Sequence, residues 1–220
     1  MSNTFDSPKP APELKQEENE LVRPPGRPRG FDREKALCKA LQLFWEQGFM
    51  QTTMAQLCDV MDIRSPSLYC AYGSKADLFL EALKYYREKY WSGAFAKFLA
   101  TEDLYEATKN LFDETARILL LPDAPCGCLT VYSAMTLPPK EKEILQTIAK
   151  MRNDTKRVFR EKLKDAARRG QIPADSDIPA ITGALVNFFE GLSLQARDDI
   201  CLSELLAIAA LGVELLPQKS

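Results

Sequence analysis

The chain has no histidine among its 220 residues. That absence excludes a Ser-His-Asp triad, a His general acid or base, and a His-ligated metal centre. Glycine is sparse, at 10 residues, and none of it forms a Walker-type or dinucleotide phosphate loop. Carboxylate pairs such as Asp198-Asp199 occur, but they read as a solvated loop. An enzyme is therefore disfavoured, and no cofactor or resident metal is expected. No apolar run approaches the roughly 20 residues of a membrane span. The first residues carry Asp6, Glu17, Glu18 and Glu20 in place of an apolar signal core. A cytoplasmic protein without membrane contact is expected. In that compartment its six cysteines stay reduced unless they have a sensing role.

What the chain does carry is helical punctuation. It is 45% hydrophobic and 27% charged, with room for one small and one medium domain. Neither strand-type alternation nor an internal repeat is visible. The stretch 52–75, TTMAQLCDVMDIRSPSLYCAYGSK, reads as two short helices joined by a tight turn. Thr52 or Thr53 can cap the first, because a hydroxyl accepts from the free N–H groups of an opening turn. Met54, Leu57, Cys58 and Met61 recur at i, i+3, i+4, i+7, one apolar helical face. Asp62-Ile63-Arg64 breaks that pattern. Ser65 is expected as the next N-cap, with Pro66 at the first helical position. Leu68 points inward. Ser65, Ser67, Tyr69 and Tyr72 are expected on an outer polar and aromatic face, and Gly73 in a left-handed cap. Ser74 starts the next helix, with Lys75 in its first turn. A helix of this kind can enter a major groove N-terminus first while its neighbour crosses the backbone. An ordinary helical hairpin shares the same grammar.

More specific are Phe44 with Gly48-Phe49 closing a first helix, and Thr52-Thr53 opening a second. Ser65-Pro66-Ser67-Leu68-Tyr69 opens a third, and Tyr72, Ser74-Lys75 and Leu78 follow. In these residues, 31–83 resembles the DNA-binding domain of the TetR family of bacterial transcriptional repressors. The resemblance implies an all-α protein. An N-terminal three-helix helix-turn-helix DNA-binding domain would precede a C-terminal helical ligand-binding and dimerisation domain. It implies double-stranded operator DNA as partner, contacted by Thr53, Arg64, Ser65, Pro66, Ser67, Tyr69, Tyr72 and Lys75. There is one departure. Many relatives carry His after the Tyr-x pair of the third helix, where this chain has Ala71.

The formal net charge is −2, so nucleic-acid affinity has to come from local charge. Residues 1–30 supply some. They read as a disordered arm dense in proline, acidic over 13–20 and basic over 23–33. The core Pro-Gly-Arg-Pro-Arg-Gly resembles an AT-hook element, and a narrow minor groove attracts inserted Arg. Arg27 and Arg29 are the residues expected there; a solvated basic linker is the other reading. A first helix spans 32–48, with Asp32 as N-cap and Leu37, Ala40, Leu41, Phe44 and Trp45 as its core face. Arg33 and Lys35 sit in its first turn, poorly placed for the helix dipole, so phosphate contact is the expected compensation.

The DNA-binding domain is expected over 31–78 and the effector-binding and dimerisation domain over 79–217. A long fourth helix, 74–100, joins them and turns displacement at its Trp91–Phe98 end into movement of the third helix. Helices follow over 104–121, 127–135, 140–169, 177–196 and 202–216. A pocket for a small apolar or amphipathic effector is expected among Trp91, Phe112, Tyr132, Met135, Phe159, Val186 and Phe189, with Asn187 and Glu190 as polar groups. The last two helices are apolar on more than one face. Gly183 and Gly191 permit close approach, which points to a homodimer through those helices. Cys126 and Cys128 leave open a thiol- or metal-responsive sensor, and a helical adaptor without DNA binding is a further alternative.

Overall fold

The computed structural model describes residues 32–217, so the arm over 1–30, with Arg27 and Arg29, lies outside the described residues. Within them every regular element is helical. In chain order these are α1 (Arg33–Gln51), α2 (Met54–Met61), α3 (Ser65–Tyr72) and a long α4 (75–100). Then come α5 (Leu104–Leu119), α6 (Leu129–Thr136), α7 (Lys142–Arg168), α8 (Ile178–Gln195) and α9 (Leu202–Leu211), which ends in a 3-10 turn, Gly212–Leu215. The expected boundary at 78/79 falls inside α4, and the described residues share one continuous core.

Local chemistry sets the helix starts. The Asp32 side chain accepts from the N–H groups of Glu34 and Lys35. Thr53 and Ser74 each open a reciprocal capping box, with Gln56 and Asp77 respectively. Those bonds hold the Asp77 carboxyl below the usual aspartate range. Arg64, not Ser65, occupies the N-cap of α3, one residue earlier than expected, and makes no side-chain capping bond. Gly73 has positive φ, at φ 76 and ψ −126, outside the left-handed helical region expected of it. A Cβ there would come within 2.7 Å of Asp77 Oδ2, so the tight passage from α3 to α4 demands glycine.

The small domain closes around Phe44, Trp45, Leu57, Leu68 and Leu78, each fully buried. Phe79 meets Phe44 edge-on at 4.9 Å between centroids. Trp45 Nε1 donates to the Gly127 carbonyl at 3.0 Å, which satisfies the one polar atom of a buried indole and ties α1 to the loop before α6.

The fourth helix is interrupted. It runs as Lys75–Tyr86, a π-helical turn Arg87–Trp91, and Ser92–Ala100. Across that turn the Ser92 N–H reaches the Arg87 carbonyl, five residues back. Both ends of α4 are clamped by a lysine. Lys75 Nζ donates to the carbonyls of Phe49 and Thr52, at 2.9 Å each, where α1 ends. The buried Lys162 of α7 reaches the carbonyls of Leu99 and Thr101 at the far end. A cation beside carbonyls that lack intrahelical partners is favourable.

Candidate nucleic-acid interface and internal cavity

The N-terminal half of α3 stands free. Arg64, Ser65, Pro66, Ser67 and Tyr69 are all exposed, Tyr69 at 52%, while Leu68 between them is fully buried. Thr53 is exposed at the start of α2. Its capping box fixes the entry of that helix, so the hydroxyl already has work within the fold. Small hydroxyl side chains and one phenol on an open helix N-terminus are groups that can approach phosphate and base edges.

Two residues expected on this face are turned elsewhere. Tyr72 is 5% exposed, and its hydroxyl donates to the Arg33 carbonyl at 2.7 Å. The Arg33 guanidinium covers its ring at 4.6 Å and is bound by both carboxylate oxygens of Glu81. Tyr72 therefore holds the C-terminal end of α3 against α1, off the open face expected of it. Arg33, expected at phosphate, is the other half of that clasp. Lys75 is half-buried over the Phe49 ring at 4.2 Å, with two of its N–H donors directed to carbonyls. Burial lowers its pKa from the ordinary lysine value. It is a fold clamp in this structure and not a free phosphate contact.

Behind α4 lies a cavity of about 50 Å³. Trp91 and Phe95 of α4 and Phe189 of α8 form its aromatic wall, with Trp91 and Phe189 packed edge-on at 5.3 Å. Val131 and Met151 complete the apolar side, and Cys128, Thr130 and Thr155 also line it. Its charged groups are Arg87, Arg152 and Glu190. Arg152 forks onto Glu190, Nε to Oε1 at 2.7 Å and Nη2 to Oε2 at 2.5 Å. Through Arg87, Trp91, Phe95 and Thr155 the cavity adjoins a more open groove of about 400 Å³, which also reaches Lys84, Glu88 and Val158.

Of the expected pocket residues, Trp91, Phe189 and Glu190 line this cavity. The others do not. Phe112 and Phe159 are fully buried core, and Phe159 backs Phe189 at 6.0 Å from behind the wall. Tyr132 lies under the Arg197 guanidinium at 4.3 Å, against the α1 kink at Gly48. Met135 is 68% exposed. Val186 and Asn187 line a separate outer groove of about 250 Å³, divided from the cavity by the Arg152–Glu190 pair.

Arg87, Arg152, Thr130 and Thr155 were not singled out from the sequence. Arg152 had a legible signal. It follows Ile148 by four residues at the edge of the apolar stripe of α7, where an exposed guanidinium can reach the less exposed Glu190.

The thiol pair is split. Cys126 is exposed, whereas Cys128 is buried, and the Tyr86 hydroxyl contacts its sulfur at 3.4 Å. Burial pushes the Cys128 pKa up, the opposite of what a reactive thiolate needs. Among the described residues no group of three or more Cys, Asp or Glu is placed to hold a metal ion, and no helix is long and apolar enough to cross a membrane.

Comparison with known proteins gives consistent matches. The model for bacterial regulatory proteins of the tetR family matches residues 37–82. The HTH-type transcriptional repressor ComR of Escherichia coli (strain K12) is 30% identical over 194 residues, covering 88% of this chain and 92% of that protein. The repressor BdcR of the same organism is 28% identical over 197 residues, covering 87% and 92%. Among solved structures, a cysteine mutant of the TetR family regulator CifR, complexed with 26-bp double-strand operator DNA, superposes with a TM-score of 0.82. It is 32% identical, and the match covers 87% of this chain and all of that one.

Proposed function

Because the chain belongs to the tetR family of bacterial regulatory proteins and is a DNA-binding transcriptional regulator, we propose that it is a dimeric repressor released from its operator by a small amphipathic molecule bound behind α4. The observation that carries this reading is the π-turn. Arg87 and Trp91, its first and last residues, both line the cavity, while the same helix begins at the Gly73 passage out of α3. A ligand packed against Trp91 bears directly on the one irregular turn of the helix that carries α3.

The DNA-reading surface in this proposal is Arg64, Ser65, Pro66, Ser67 and Tyr69, with Thr53 at the entry of α2. Arg27 and Arg29 of the arm are further DNA contacts in this proposal. Tyr72, Arg33 and Glu81 keep α3 at a fixed angle. The dimer forms through α8 and α9. A Cβ at Gly183 or Gly191 would meet nothing within 4 Å in the single chain, and Leu194, Leu202, Leu211 and Leu215 are exposed. Two copies joined there must hold their α3 helices about 34–36 Å apart, one turn of DNA. Ligand and DNA prefer different spacings, so each weakens the other by the same factor, limited by the ligand's differential affinity for the two states.

The test is a band-shift titration with the DNA upstream of the protein's own gene, repeated across salt concentrations. Specific binding that falls steeply with salt is expected. Binding no tighter than to unrelated DNA at every salt would remove the operator from the proposal.

A further inference from the structure

Resting on the reading of the cavity behind α4 as an effector site, we infer that its ligand is an apolar acid: an aromatic or alkyl body ending in a carboxylate held by Arg87. The charges lining the site are unequal in their partners. Glu190 is taken up in both oxygens by Arg152. Arg87 has one ion-pair contact among the described residues, Nη1 to Asp154 Oδ2 at 3.4 Å. Asp154 is itself shared, since its Oδ1 accepts from Arg157 at 2.9 Å. A guanidinium with five donors is thus held by one long contact to half of a carboxylate. It also stands where the cavity meets the open groove, so its remaining donors are within reach of an arriving ligand.

Trp91 gives the cavity an aromatic wall, and its Nε1 is buried. The site therefore has an excess of donors at Arg87 and no free carboxylate within the cavity. Glu88 lies in the open groove outside the cavity, which Lys84 also lines. An acceptor-rich, negatively charged head fits that excess; an ammonium head would face Arg87 and Arg152 and find Glu190 already bound. The apolar remainder fits the Trp91, Phe95 and Phe189 wall. A carboxylate matches the planar fork of Arg in two parallel bonds, which the single contact to Asp154 does not provide. Binding the acid would exchange Asp154 for ligand at Arg87, the first residue of the π-turn.

Three probes of matched shape test this: 4-phenylbutyrate, 4-phenylbutyramide and 4-phenylbutylamine, measured by calorimetric titration against the full chain and by release of bound operator DNA. The acid should bind about tenfold or more tighter than the amide, and the amine weakest. Arg87→Gln should erase the preference for acid over amide. Asp154→Asn, which removes the competing carboxylate, should tighten acid binding. Equal binding of acid and amide by the wild type, or a preference for the amine, overturns the acid assignment but leaves the cavity as an effector site. Failure of all three to bind a folded, DNA-competent protein overturns the effector site itself. A preference for the acid that survives Arg87→Gln removes Arg87 as the anchor.

Discussion

Replacing Lys75 with Met separates two roles that one lysine at the start of α4 could have. The substitution keeps most of the alkyl stem and removes the ammonium. The carbonyls of Phe49 and Thr52 then lose a charged donor at 2.9 Å each, and the Phe49 ring loses its cation. Hydrogen bonds to charged groups contribute about 1.5–3 kcal/mol each. Lys75 is only half-buried, so water takes over part of that role. A total loss of about 2 kcal/mol is expected, including roughly 0.5–1 kcal/mol from the cation–π contact. For a chain of this size each kcal/mol lowers Tm by about 2–4 °C, so calorimetry at one fixed protein concentration should show a fall of roughly 4–8 °C. The slope of log affinity against log salt for operator DNA should not change, because no phosphate contact is lost. A lysine bound to phosphate would behave the other way, taking about one unit of that slope with it. An unchanged Tm together with a slope reduced by one would refute the clamp.

Tyr69→Ala should weaken operator binding by about 1–3 kcal/mol without altering Tm, whereas Tyr72→Phe should lower stability by about 0.5–1.5 kcal/mol. Band shifts and urea denaturation of both variants check this, and wild-type affinity in Tyr69→Ala would remove that phenol from the interface. Deleting residues 1–30 should weaken DNA binding most at low salt and leave the melting of the remainder unchanged; equal affinity with an equal footprint would make the arm a linker. Leu211→Asp, at a position 65% exposed on α9, should convert the dimer to monomer in sedimentation velocity. A dimer that survives it places the interface elsewhere.

Features decided within one turn of chain were readable from the sequence, and those decided by packing were not. Asp32, Thr53 and Ser74 cap their helices as their side-chain chemistry requires, with partners two or three residues away. Tyr72 shows where helix arithmetic has to be applied fully. At about 100° per residue it lies about 40° from Leu68 and about 60° from Tyr69, so it belongs to the buried edge of α3 rather than its outer face. Lys75 and Arg33 read as DNA contacts in the sequence because both are long cations near an expected DNA surface. Their carbonyl and carboxylate partners lie 23 to 48 residues away. The cavity was hardest. Phe112, Phe159 and Phe189 are alike in sequence, and only the packing of α5, α7 and α8 together decides which faces a void.

A π-turn is one residue added to an α-helix. Before it, α4 buries Leu78, Phe79, Ala82, Leu83 and Tyr86; after it, the buried positions are Trp91, Ala94 and Phe98. The inward phase has slipped by one residue between Tyr86 and Trp91. Take one residue out of that turn and a straight helix would present both halves to the same neighbours. The middle of α4 is therefore where this chain can differ in length from a relative by one residue without either half of the protein moving. In pairing such sequences, a gap inside a helix, ordinarily the least credible place for one, is the physically correct choice here.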